Sequence, residues 1–310
     1  MTRRLEGVLV PVTTPFDPAT GEVAPVLLRD NARALLEQDV SGIVAAGSTG
    51  EASLLSETEF GQVVEWLRDV VPDQRWLIAG AGRESTRATI GACTVAGGRG
   101  ADAVLVRPPG YYGSSLSAQA LIDHFRAVAD ASPVPVLLYN IPKYTKVTVP
   151  DTVFATLADH GNIVGAKDSS GDLKQFAAYR SAAPGWATFM GSGARYYAAL
   201  ELGAVGGILA VACYAAGLAV QIRDRFAAHD RAGAGAVQEV MGPLSREIVE
   251  AFGVPGVKAA MDAVGLAGGA PRPPLVGLGR RERDHIAQLL AGAGLSGAAN
   301  QGGARVASAN

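Results

Sequence analysis

Sulfur, charge and aromatic rings are all scarce in this chain of 310 residues. Its two cysteines, Cys93 and Cys213, are too few and too far apart for a disulfide framework or a metal knuckle. The four histidines, His124, His160, His229 and His285, share no ligand-like spacing, and three of them fall in stretches expected to be helical, so no metal site is expected. Charged residues make up only 18%, with a formal net charge of −2, which leaves no basic footprint for nucleic acid. No basic amphipathic segment suits a membrane surface. The uncharged stretch Ala204 to Val220 is interrupted by glycine and shorter than the ~20 apolar residues that a membrane helix needs. The N-terminus carries no apolar run of the signal-peptide kind, so a cytoplasmic protein is expected. Nucleotide and serine-hydrolase loops are missing too. Gly80-Ala81-Gly82 lacks the third glycine of a dinucleotide fingerprint, and Gly191-Ser192-Gly193 is too short for a nucleophile elbow.

Hydrophobic residues, by contrast, reach 48%, enough for a sizeable core and too many for a disordered chain. They recur in short runs: Gly7–Val12, Gly42–Ala46, Trp76–Ala79, Ala103–Val106, Val134–Tyr139, Ile163–Ala166, Thr188–Met190 and Gly206–Val211. Each run is continuously apolar, as parallel strands covered on both faces are. Helical spacing separates them. Val26–Gln38 sets Leu27, Leu28, Ala32, Leu35 and Leu36 on one stripe, and Glu59–Val71 does so with Phe60, Val63, Val64 and Leu67. Ser56 with Glu59 forms a capping-box pattern at the start of the second helix. Eight such alternations predict a (β/α)8 TIM barrel over residues 1–213. Further helices, punctuated by Pro243, Pro255 and the Pro271–Pro274 cluster, are expected to pack on it over 214–295, with a flexible tail at 296–310.

Barrel enzymes carry their chemistry at the C-terminal ends of the strands. Four runs end there in polar segments: Gly47-Ser48-Thr49-Gly50-Glu51, Arg107-Pro108-Pro109-Gly110-Tyr111-Tyr112, Tyr139-Asn140-Ile141-Pro142 and Lys167-Asp168-Ser169-Ser170-Gly171-Asp172. Lys167 directly follows an apolar strand, and lysine is seldom buried without a partner. The plainer reading is a side chain that snorkels to solvent or pairs with Asp168 or Asp172. The functional reading is an amine held away from water as a nucleophile for a carbonyl. Tyr139 either caps the barrel core or moves protons at an adduct on Lys167. Ser48 and Thr49, between two glycines, form an ordinary turn or a cradle of N–H and hydroxyl groups for a carboxylate.

Together these segments resemble the family of dihydrodipicolinate synthase and N-acetylneuraminate lyase, lysine-dependent aldolases of the pyruvate type, from about Gly7 to Leu278. The resemblance implies a Schiff base on Lys167, a proton-transferring Tyr139, and a 2-oxo acid carboxylate held by Ser48 and Thr49, with Ser48 also in the proton relay. Gly50, Ser169, Gly191 and Leu209 are expected to contact substrate. Tyr112, or Tyr111 beside it, falls near the tyrosine that a neighbouring subunit inserts into the relay. A homotetramer built as a pair of dimers is implied, with no cofactor and a small 2-oxo acid as the only other partner. The synthase places an arginine two residues after the proline of the Tyr139 motif, where this chain has Tyr144. Tyr111-Tyr112, Lys167-Asp168-Ser169 and Phe252-Gly253-Val254-Pro255-Gly256-Val257-Lys258 resemble 4-hydroxy-2-oxoglutarate aldolase more, the last of these as a helix-bound structural stretch. Arg107 and Tyr144 are open candidates for specificity. A dehydratase of a 2-oxo-3-deoxy sugar acid, the synthase, and a non-enzymatic 2-oxo acid-binding regulatory protein remain as alternatives.

Overall fold

The computed structural model describes residues 3–295; the tail expected at 296–310 lies outside the described residues. Eight strands, β1 (Gly7–Pro11), β2 (Gly42–Ala45), β3 (Trp76–Gly80), β4 (Ala103–Val106), β5 (Val136–Asn140), β6 (Ile163–Asp168), β7 (Ala187–Met190) and β8 (Gly206–Ile208), close into one barrel. Every neighbouring pair is parallel, including β1 with β8. Helices α1 (Pro25–Leu36), α2 (Glu57–Arg68), α3 (Thr86–Gly98) and α4 (Ala118–Ala131) return the chain between the first five strands. The short α5 (Pro142–Thr145) and α6 (Asp151–Leu157) follow β5, α7 (Leu173–Ala182) follows β6, and α8 (Tyr196–Glu201) follows β7.

Although each strand is buried on both sides, its residues still alternate. Leu9, Val44, Ile78, Leu105, Leu137, Phe189 and Ile208 fill the barrel interior, while Val8, Val10, Ile43 and Leu77 pack outward against the helices. This is the layered filling that makes a barrel a packed core rather than a pore. The capping box of α2 is present, with the Ser56 hydroxyl accepting from the Glu59 N–H and the Glu59 carboxylate accepting from the Ser56 N–H.

Several boundaries differ from the sequence reading. β5 starts at Val136 rather than Val134, because Val134 lies between Pro133 and Pro135, neither of which has an N–H for the ladder. β8 stops at Ile208, where the chain turns through Leu209–Val211 into α9 (Ala212–Ala227). Leu27 is exposed; the buried face of α1 is Leu28, Asn31, Ala32 and Leu35. His160 and His229 lie in connections, so only His124 and His285 are helical.

After α9 come α10 (Arg231–Leu244), a π-helical turn (Ser245–Glu250), α11 (Ala251–Ala263) and α12 (Arg280–Gly292). Pro243 and Pro255 sit inside α10 and α11 rather than between helices. Gly253, at φ 60° and ψ −142°, breaks α11 near its start, so Pro255 falls in the first turn of the helix that resumes, where its missing N–H costs nothing. No described helix is long and apolar enough to cross a membrane.

Candidate active site

Tyr139 and Lys167 are cross-strand partners in the register of β5 and β6, one residue before the Asn140–Asp168 pair. Neighbours in register point the same way. Tyr139 therefore enters the barrel interior beside Leu137's layer, and Lys167 stands next to it with Nζ 4.4 Å from the centre of the phenol ring. Both are buried, Lys167 at 6% exposure.

The carboxylates that could have neutralised this lysine are engaged elsewhere. Asp168 accepts from Asn140 Nδ2 at 2.8 Å, from the Ser170 N–H at 3.1 Å and from the Ser170 hydroxyl at 2.8 Å. Burial pushes the Asp168 carboxyl above its ordinary range, and these hydrogen bonds oppose the push. Asp172 caps α7 through the N–H groups of Lys174 and Gln175. Asn140 spends its own oxygen on the Val149 N–H at 3.0 Å.

A cavity of about 520 Å³ opens above Lys167, with Ser48, Thr49, Tyr139, Ser169 and Gly191 on its walls. The Ser48–Thr49 turn is held between two non-glycine residues in the left-handed region, Ala46 at φ 45° and Glu51 at φ 59°. Such conformations persist only where the surroundings impose them. Here Glu51 is tied down on both oxygens, by Lys258 Nζ at 2.6 Å and by the Arg272 N–H at 2.8 Å. Gly191 leaves room for its neighbour: a Cβ there would lie 1.9 Å from Ser169 Oγ.

Two residues expected at the substrate fall elsewhere. Gly50 packs against the end of β1, where a Cβ would lie 2.9 Å from the Val12 carbonyl oxygen. Leu209 is fully buried in the layer between strands and helices, and Ala210 and Val211 face the cavity in its place. Tyr112 and Tyr111 are 71% and 81% exposed and pack edge to face, with centroids 4.9 Å apart. They border a second cavity of about 940 Å³, which meets the first at Ser48. Glu84 fixes their loop by accepting from the Gly110 and Tyr111 N–H groups, each at 2.9 Å, and by pairing with Arg107 at 2.8 Å. Arg107 thus belongs to the second cavity, whereas Tyr144 borders both.

The late stretch around Gly253 does more than expected of a structural helix, since Gly253, Val254 and Val257 wall the Lys167 cavity. Sequence reasoning quoted Asn140 in a strand-end motif without giving it a role, and it missed the Glu51–Lys258 pair and the basic residues Lys143, Arg195 and Arg246 at the cavity. A polar residue within an apolar strand flags Asn140; the others carry no local signal.

A parallel barrel with a buried lysine and tyrosine at adjoining strand ends defines an enzyme of the lysine-dependent aldolase and lyase class. The chain belongs to the dihydrodipicolinate synthetase family, whose model matches residues 4–293. It is 35% identical over 289 residues to a 4-hydroxy-tetrahydrodipicolinate synthase of Methanopyrus kandleri, covering 93% of this chain and 94% of that protein. An uncharacterized DapA-like lyase of Halobacterium salinarum is 34% identical, with 94% and 95% covered. Among solved structures, the chloride-inhibited dihydrodipicolinate synthase of Acinetobacter baumannii complexed with pyruvate superposes with a TM-score of 0.89 at 31% identity, covering 94% of this chain and 100% of that one. These relatives bear synthase or lyase names, so the finer likeness to 4-hydroxy-2-oxoglutarate aldolase rests on sequence motifs alone.

Proposed function

We propose that Lys167 forms a Schiff base with the keto group of a 2-oxo acid, and that the enzyme cleaves or forms the bond between carbons 3 and 4 of a substrate like 4-hydroxy-2-oxoglutarate. The observation that carries this reading is the setting of Lys167: 6% exposed, at the wall of the cavity, 4.4 Å from the Tyr139 ring, with the carboxylates of Asp168 and Asp172 committed to other donors. Ser48 and Thr49 hold the carboxylate of the 2-oxo acid. Ser169, kept in place beside the side-chain-free Gly191, lies on the same wall.

In the cleavage direction, Lys167 Nζ attacks carbon 2 and the carbonyl oxygen leaves as water, giving an iminium. Tyr139 takes the proton of the carbon 4 hydroxyl as that oxygen becomes an aldehyde. The electrons of the broken bond flow to the iminium and give an enamine. Protonation at carbon 3 and hydrolysis then release pyruvate and free the lysine. Tyr112 of a neighbouring subunit, reaching Ser48 through the second cavity, completes the proton relay in a tetramer built from two dimers.

The synthase of the named relatives is the second reading, favoured by their identity to this chain across almost its whole length. Tyr144 at the position of that enzyme's arginine weighs against it.

The test is reduction with borohydride in the presence of pyruvate. Mass should be added irreversibly at Lys167, and Lys167→Ala should lose both label and turnover. A label on Lys143, Lys146 or Lys174 instead sinks the assignment. Pyruvate release from 4-hydroxy-2-oxoglutarate, set against condensation of pyruvate with aspartate semialdehyde, then separates aldolase from synthase.

A further inference from the structure

The Lys167 cavity is polarised. Its inner wall carries Lys167, Tyr139 and the small hydroxyl groups, all needed for a 2-oxo acid. Its outer rim carries Lys143, Arg195 and Arg246, all exposed, on three different elements. Arg195 ends the short turn after β7, Arg246 lies in the π-helical turn between α10 and α11, and Lys143 is on α5.

The charge on this rim is not matched by acid. Arginines elsewhere are mostly tied to carboxylates, as Arg83 is to Glu57 at 2.8 Å, Arg107 to Glu84 at 2.8 Å and Arg272 to Glu59 at 2.6 Å. Arg195, Arg246 and Lys143 take part in no ion pair among the described residues. Lys143 Nζ donates to the backbone oxygen of Glu250 at 2.9 Å. The one acid on the rim, Glu250, has its carboxylate turned to the Ser192 hydroxyl at 3.3 Å. Three cations therefore face one carboxylate across an opening that leads to the lysine. π-Helical turns are rare and concentrate at functional sites, and this one places Arg246 and Glu250 on the same rim.

We infer that Arg195 and Arg246, with Lys143 beside them, form an anion subsite that recognises a second carboxylate at the far end of the 2-oxo acid substrate. The inference rests on the reading of Lys167 as the residue that holds the keto end. Arginine suits this task because its planar fork takes a carboxylate by two parallel hydrogen bonds. A dicarboxylic 2-oxo acid then spans the cavity from Ser48 and Thr49 to the rim, and its binding enthalpy includes contacts that a neutral tail cannot make.

The experiment compares equilibrium binding of 2-oxoglutarate with that of 2-oxopentanoate, which has the same chain length and one carboxylate. The native protein should bind the dicarboxylate at least ~10-fold more tightly, the scale of one good charged hydrogen-bond pair. Arg195→Gln and Arg246→Gln should each shrink that ratio, and the double variant should bring it near 1. Added salt should narrow the gap as well, because the rim is exposed. Equal affinity of the native protein for both acids overturns the subsite, as does a ratio that survives in the double variant. Circular dichroism of the variants shows that they are folded. Borohydride labelling is scored separately: an unlabelled Lys167 with an intact affinity ratio defeats the Schiff-base reading and leaves the anion subsite standing.

Discussion

Lys258 Nζ lies 2.6 Å from a carboxylate oxygen of Glu51, and solvent reaches neither side chain. The pair joins α11 to the loop that carries Ser48 and Thr49. Lys258 also donates to the Ala270 carbonyl at 2.9 Å and sits 4.5 Å from the centre of the Phe16 ring, so its charge is surrounded on several sides. Burial pushes its ammonium below the ordinary lysine value, and Glu51 works against that push. A buried ion pair adds little over a well-packed apolar one, but breaking it leaves a lone charge in the core. Lys258→Met should therefore cost about 3–5 kcal/mol, read from the urea unfolding curve. Pairing it with Glu51→Gln should recover part of the loss. A stability unchanged by Lys258→Met contradicts this account.

Tyr139→Phe keeps the ring beside Lys167 and removes only the hydroxyl. Turnover should fall by ~10²–10⁴-fold, the usual contribution of a general acid–base group, while pyruvate still labels Lys167 with borohydride. Steady-state rates of the two proteins decide it. A phenylalanine variant with native turnover returns Tyr139 to a packing role.

Acid should weaken the fold in two stages. Burial, and secondarily the charge of Arg107, push the His124 imidazole down to about 4. Below its ordinary 6.5 the unfolded chain binds a proton that the folded one refuses, so this contribution is complete above pH 6.5 and is lost as pH falls towards 4. Glu59 is pulled down to about 2, chiefly by its hydrogen bonds from Arg272. Its contribution is present above 4.5 and disappears as pH falls towards 2. The first stage amounts to up to ~3 kcal/mol. The second is nearer ~1 kcal/mol, because water screens a carboxylate in partial contact with solvent. Urea unfolding at pH 7, 5 and 3 measures both, and His124→Gln should flatten the upper stage.

The exposed Tyr111–Tyr112 pair tests the assembly. Inactive Lys167→Ala and inactive Tyr112→Phe proteins are mixed under conditions of subunit exchange, followed by mass. If a partner's tyrosine completes each site, hybrid dimers regain activity, since one of their two sites has both residues intact. A mixture that exchanges yet stays inactive assigns Tyr112 to its own chain or to no catalytic role, and Tyr111 is then tried in the same way.

The eight apolar runs determined the barrel, because strands covered on both faces leave an unbroken hydrophobic signature, and the polar residues that close them marked Ser48, Thr49, Tyr139 and Lys167 as neighbours at one mouth. Those runs could not say which side chains point inward. With both faces buried, inner Leu9 and outer Val8 are chemically alike, and only closure into a barrel separates them. Leu209, which only the family resemblance put at the substrate, lies just past the end of β8 with its side chain among the buried residues between strands and helices. Contacts between distant segments were invisible too. Glu51 pairs with Lys258, and Arg195 and Arg246 come to line one cavity, through the packing of the C-terminal helices on the barrel. Charge in a sequence has no position until a fold gives it one. Local pattern therefore located Lys167 at a strand end, and tertiary packing alone decided what surrounds it and which residues line the rest of its cavity.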